Sequence, residues 1–248
     1  KIQSKVVFLH ALLMCGADWN SRLVLLREFI RLQYHRYRGG KDVEFSCAIR
    51  AHGRCARIHF TGSMSELHTL VDIFRHESYK PKHDHVERLF SGSIKTLLDL
   101  GANIGLASAW FALTYPGVSI DAYEPNPRVF RLLQKNLSQF PNVRVFEKAL
   151  AQKEGTVAFN QSEHTLASSV FAAGESNAIQ VPATTLDSAI EIIGGSVDLI
   201  KIDIEGSEFE VLQGSQNLAR VRAIIGEAHT GQSGHTQEEL NQTLSTFN

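Results

Sequence analysis

At 248 residues with 43% hydrophobic content, the chain is long enough to bury a full core as one domain or one domain with an appendage. Its net charge of −1 hides an uneven spread, about +7 over residues 1–60 and about −8 over the rest. No charge run with interleaved aromatics marks a nucleic-acid surface. The membrane-like stretch VVFLHALLMCGADW is shorter than the roughly 18 residues of a span and contains His, Cys and Gly, so it reads as a buried helix.

Cys15, Cys47 and Cys55 form no CxxC pair and are odd in number, which points away from a disulfide framework or zinc knuckle and towards a reducing, cytoplasmic setting. The chain starts at Lys1 and stops soon after a helical stretch, as a fragment or processed product would.

Residues 1–38 carry helical apolar spacing, with Leu23, Leu26, Phe29 and Ile30 among arginines, and Arg38-Gly39-Gly40 ends the unit. The basic face is read as packing on the acidic body, with an acidic partner, a membrane surface or a homodimer contact as the alternatives. Residues 43–60 alternate as a hairpin turning at His52-Gly53. A helix is expected from Ser65 as its N-cap, then a second after Pro81, so residues 1–90 form a mainly helical extension with a hairpin. Residues 91–248 form the second unit, an α/β domain.

From Ile94 strands alternate with helices. Strands are expected at 95–100, 118–123, 143–147, 197–203 and 221–227, and helices at 104–115, 127–139, 185–193, 207–213 and 236–247. This is the pattern of βαβ units and a mostly parallel sheet covered on both faces. Between 148 and 184, TVAFN and AIQVP form a strand pair around QSEHTLASSVFAAGESN, an expected active-site loop. Ligands in such folds sit beyond the carboxyl ends of the strands.

The first of those ends reads Asp99-Leu100-Gly101-Ala102-Asn103-Ile104-Gly105. Gly101 and Gly105 permit a tight turn and close backbone approach, and the next helix turns its free N–H groups to the same place. A dinucleotide fingerprint would need glycine at 103 and 106, where Asn103 and Leu106 stand. The next strand ends in Tyr123-Glu124-Pro125. An acid there accepts ribose hydroxyls, and Asn126 between two prolines caps the following helix. A ribose acceptor without a diphosphate grip favours S-adenosylmethionine. Ala149 and Leu150 are placed at the adenine edge, with plain core packing as the alternative.

The fourth strand end carries Lys201, Asp203, Glu205 and Glu208, and the fifth carries Glu227 and His229. Charges inside an apolar strand are costly when unpaired, so the four ionisable groups Asp203, Glu205, Glu227 and His229 at neighbouring ends mark a site. His229, or Asp203, is the candidate base for a hydroxyl acceptor. Asp203, Glu205, Glu227 and His229 also suit a divalent cation; an ion-paired network around Lys201 is the plainer reading, and no metal is assigned. His76, His83 and His85 are read as exposed loop residues.

The ordered set DLGANIG, YEP, the serine pair 168–169, VPATTLD, KIDIEGSE and EAH, led in by IFRHESY at 73–79, resembles the FkbM-type S-adenosylmethionine-dependent methyltransferases over about residues 73–230. The resemblance implies a class I methyltransferase (Rossmann-like) fold. It places Asp99, Gly101, Asn103, Gly105 and Glu124 around the cofactor and Asp203, Glu205, Glu227 and His229 toward the substrate side; the reading of the turn and strand ends adds Ala102, Pro125, Asn126, Ala149, Leu150 and Asp203 to the cofactor side. Glu205, Ser168, Ser169 and His164 fall on the substrate side, with His229, Asp203 and Glu227 as catalytic candidates. It further implies O-methylation of a small molecule or sugar. The last two strands usual for that fold are not among the expected elements. An NAD(P)-dependent oxidoreductase would share Glu124 but needs the missing glycines, and a non-catalytic cofactor-binding interaction module is the other alternative.

Overall fold

A computed structural model of the chain describes residues 2–38, 43–80, 94–160, 178–229, 234 and 236–245. Helices α1 (Ile2–Cys15) and α2 (Trp19–Arg38) come first, so the helical stretch is divided at Gly16-Ala17-Asp18. Asp18 Oδ1 accepts the Ser21 amide at 2.7 Å and caps α2, while Arg50 donates to the Ala17 carbonyl across the break. Strands β1 (Phe45–Ala51) and β2 (Arg54–Phe60) pair antiparallel around the expected His52-Gly53 turn.

Helix α3 (Met64–Phe74) begins two residues earlier than expected, because its cap is Ser63 and not Ser65. Ser63 Oγ accepts the Glu66 amide at 3.2 Å and the Glu66 carboxylate accepts the Ser63 amide at 3.4 Å, a reciprocal capping box. The helix expected after Pro81 lies outside the described residues, as do His83 and His85.

The alternating half contains β3 (Thr96–Leu100), α4 (Leu106–Thr114), β4 (Ser119–Tyr123), α5 (Pro127–Leu137), β5 (Val143–Phe146), β6 (Ala149–Leu150), β7 (Gly155–Asn160), β8 (Ala178–Thr184), α6 (Leu186–Ile193), β9 (Leu199–Ile202), α7 (Glu208–Gln213), β10 (Ile224–Gly226) and α8 (Gln237–Leu244). Strands β10, β9, β3, β4 and β5 lie side by side in that order, every pairing parallel. Strands β7 and β8 pair antiparallel, with β6 beside β8, in a separate small sheet.

Side chains alternate across the sheet. Leu97 faces the core shared with α4, α5 and the N-terminal elements, where Leu12, Leu25, Ile58 and Leu70 are buried with Trp110 and Phe111. Leu98 and Leu100 face the second core, under α6 and α7. Residues 2–74 thus share one core with half of the parallel sheet. Among the described residues no helix is long and apolar enough to cross a membrane.

The chain leaves β3 towards β4 and β5 and returns on the other flank as β9 and β10. Strand order reverses between β3 and β9, and a crevice opens there at the carboxyl ends.

Candidate active site

Gly101 follows β3 at φ +77, and a Cβ on it would stand 1.8 Å from the Asp203 carbonyl oxygen of the neighbouring strand end. Only glycine lets the two strand ends approach this closely. Gly105 serves packing instead, since its missing Cβ makes room for Leu133 and Leu137 of α5. Helix α4 accordingly starts at Leu106, two residues past the expected Ile104. Between the glycines, Asn103 takes a left-handed φ of +51, which turns its amide onto Glu124.

Glu124 is buried at the end of β4. Oε2 accepts the Asn103 amide at 2.9 Å and Oε1 accepts the Asn126 amide at 2.8 Å. Each oxygen keeps acceptor capacity towards the crevice. Burial pushes the carboxyl up to about 7 against the lowering effect of the two amides. Asn126 also caps α5 by accepting the Arg128 amide at 3.1 Å.

Asp99 lies behind this wall and not on it. It is fully buried, accepts the Ser108 hydroxyl at 2.6 Å and pairs with Lys201 Nζ at 3.2 Å. The two residues stand opposite each other in the β3–β9 register. Lys201 Nζ also donates to the Gly101 carbonyl at 2.7 Å. Burial, the largest single effect, would lower the Lys201 pKa; the charge and hydrogen bond of Asp99 together with the neighbouring Tyr79 and Asp203 outweigh it and hold the amine above the ordinary lysine range. The charges of β3 and β9 therefore form one buried pair that fixes the glycine turn from below.

Beyond β9 and β10 the ionisable groups converge as expected. His229 Nδ1 lies 3.0 Å from Glu208 Oε1, and Nε2 lies 3.9 Å from Asp203 Oδ1 and 3.6 Å from Glu205 Oε2. Glu208 is itself anchored by the Ile204 and Gly206 amides. Burial lowers the His229 pKa, but the Glu208 hydrogen bond and the charges of Glu208, Glu205 and Asp203 raise it overall above 6.5. Burial, with the charges of Asp203, Glu208 and Glu227, raises Glu205 against the lowering effect of His229. Among the described residues, Asp203, Glu205 and His229 form a cluster whose ligand-capable atoms all lie within 4.8 Å of one another.

A cavity of about 410 Å³ joins these parts. Gly101, Ala102, Asn103, Glu124 and Pro125 form one wall, Ala149 and Leu150 a second, and Asp203, Glu205 and Glu227 a third. Asp99, Gly105, Asn126 and His229 stand outside that lining and act on it through the contacts above. Ser168, Ser169 and His164 lie outside the described residues. The lining also contains residues that sequence reasoning missed: Thr69, Asp72 and Ile73 on α3, Tyr79 after it, and Lys148 and Phe159. The lead-in IFRHESY was the available signal for Ile73 and Tyr79.

The FkbM methyltransferase domain matches residues 99–247, more than half of the chain and most of the residues that line this crevice. The chain belongs to the FkbM methyltransferase family. It is 30% identical over 182 residues to the AMB antimetabolite synthetase AmbE of Pseudomonas aeruginosa, covering 56% of this chain and 9% of AmbE. It is 26% identical over 170 residues to the hexuronic acid methyltransferase AglP of Haloferax volcanii, covering 66% of this chain and 69% of AglP. It is 26% identical over 164 residues to the 2-O-methyltransferase NoeI of Sinorhizobium fredii, covering 58% of this chain and 68% of NoeI. The chain thus spans a small part of the first relative and about two thirds of the other two.

S-adenosylmethionine is the cofactor of this FkbM domain, and the residues present fit it. Glu124 offers two oxygens to a ribose diol, and Ala149 and Leu150 offer an apolar shelf. The cavity is of the size that small-molecule ligands occupy.

Proposed function

We propose that this chain transfers a methyl group from S-adenosylmethionine to a hydroxyl of a small molecule or sugar. The observation that carries the reading is the orientation of His229. With Nδ1 hydrogen-bonded to Glu208 at 3.0 Å, the imidazole turns Nε2 towards Asp203 and Glu205 at the strand ends. A donor proton on Nδ1 leaves Nε2 with a lone pair, the form a general base needs.

The bound donor supplies an electrophilic methyl group and retains the electron pair of the carbon–sulfur bond that breaks. Glu124 and the Gly101–Asn103 main chain hold its adenosyl part, and Asp203 borders the transfer point. His229 stands just behind the lining residues Asp203 and Glu205, so an acceptor hydroxyl that reaches between them gives its proton to Nε2 as its oxygen forms the bond to carbon. Glu208 stabilises the resulting imidazolium, and Glu205 and Glu227 orient the other acceptor hydroxyls. Positioning supplies much of the rate, since the methyl group is already activated. The activities for which AglP and NoeI are named, on a hexuronic acid and at a 2-oxygen, support sugar and oxygen acceptors.

Labelled donor offered to neutral glycosides, uronates and small alcohols tests the reading. Transfer to a hydroxyl is expected, and His229→Ala lowers turnover by about 10²-fold or more at unchanged cofactor affinity. The rate should rise with pH through a limb above 6.5, because the raised His229 pKa must be passed before Nε2 is free. Glu208→Gln moves that limb towards acid. Product methylated only on nitrogen, or full turnover in His229→Ala, would refute it.

A second reading has one observation in its favour. The 3.6 and 3.9 Å separations around Nε2 exceed hydrogen-bond length and suit three groups sharing a divalent cation. Chelator treatment separates the two readings: the general-base reading expects unchanged turnover after metal removal.

A further inference from the structure

The cavity does not end at the residues of the family match. On the side of Gly101 and Lys201 its wall is completed by Ser78 and Tyr79, which precede residue 99. Their turn is firmly held. The Ser78 amide donates to Asp72 O at 3.1 Å and the Lys80 amide to Glu77 O at 2.7 Å. The Glu77 carboxylate joins His52 of the hairpin at 3.2 Å to Lys80 at 3.1 Å. Tyr79 packs on the N-terminal core, and Lys201 Nζ lies 5.7 Å from the centre of its ring.

The Tyr79 hydroxyl has no hydrogen-bond partner among the described residues. Its surroundings are Lys201, Asp203, Asp99 and Glu227, and burial pushes its pKa up to about 12, so it remains a protonated donor. Two donors of Lys201 are already engaged, by Asp99 and the Gly101 carbonyl.

The ligand's shape and charge then sort themselves along the wall. With the ribose at Glu124 and the adenine on Ala149 and Leu150, the amino-acid arm extends to the opposite end of the cavity. That arm carries an ammonium, which needs an acceptor, and a carboxylate, which needs donors. Asp203 is the acceptor there. We propose that Tyr79 is a cofactor-binding residue whose phenol donates a hydrogen bond to the α-carboxylate of S-adenosylmethionine. The methyltransferase site is then shared between the family-matched residues and the N-terminal segment. This inference rests on the placement of the ribose at Glu124.

The test is a ligand-by-residue cycle on the full chain, by calorimetry with S-adenosylhomocysteine and with 5′-deoxy-5′-methylthioadenosine, which lacks the amino-acid arm. Tyr79→Phe should weaken the first by about tenfold or more, the effect of losing a hydrogen bond to a charged group. It should leave the second within about twofold. Glu124→Gln should weaken both. Tyr79→Phe binding S-adenosylhomocysteine like the wild type, or losing both ligands equally, overturns the assignment to Tyr79. Glu124→Gln leaving both unchanged overturns the placement on which it rests.

Discussion

At the scale of single residues the site turns on a carboxyl held in an unusual protonation state. The Glu124 pKa is raised from 4.5 to about 7 by burial. A carboxyl raised by folding favours the folded, ligand-free protein below its ordinary pKa, and that contribution is lost as pH rises through about 7. A ribose diol needs the ionised form as acceptor. Cofactor affinity should therefore fall as pH drops below about 7 and level off above it. Glu124→Gln should bind more weakly with that pH dependence removed, measured by calorimetry between about pH 6 and 8.

Glu124 and Gly101 were legible in the sequence because their meaning is local: an acid closing a strand, a glycine opening a turn. Asp99 was legible as important, but its buried surroundings were not. Its partner, Lys201, is remote in the chain and directly opposite in register, and that register decides that its carboxylate faces Lys201 instead of the cavity. Tyr79 escaped for the same reason. A residue between elements carries no periodic signal, and only the packing of α3 brings it to the strand ends.

At the scale of elements, buried polar stitches join segments far apart in the chain. Lys201 and Asp99 tie β9 to β3. Lys201→Met keeps the volume and strands the Asp99 charge, so a loss of about 3–5 kcal/mol is expected in urea denaturation. A loss below about 1 kcal/mol would show that the pair does not hold the crevice. On the other flank, α5 presents fully buried Asn136, which accepts the His59 amide at 2.8 Å and donates to the His59 and Ile104 carbonyls at 2.9 and 2.8 Å. One side chain thus ties the hairpin to the glycine loop. The amphipathic pattern of α5 was readable; which of its polar residues faced inward was not. The reciprocal Ser63–Glu66 cap did have a sequence signature, Ser-x-x-Glu, beginning two residues before the serine favoured from the sequence.

At the scale of the whole molecule, the strand–helix alternation predicted the parallel sheet, since each apolar strand and amphipathic helix is specified locally. The order β10-β9-β3-β4-β5 reverses between β3 and β9, and that reversal opens the crevice at the strand ends. The relation of residues 2–74 to that sheet had no such local rule. Their side chains share a continuous core with β3, α4 and α5, so the chain should unfold in one transition, with fluorescence and far-ultraviolet circular dichroism coincident in denaturant. Two separated transitions would show that the N-terminal elements fold independently.

The most direct trial is a crystal structure of the chain with S-adenosylhomocysteine. Both ribose hydroxyls are expected within hydrogen-bond distance of Glu124, with the adenine against Ala149 and Leu150. An adenosyl group seated elsewhere, or Glu124 facing away from the ribose, would contradict it.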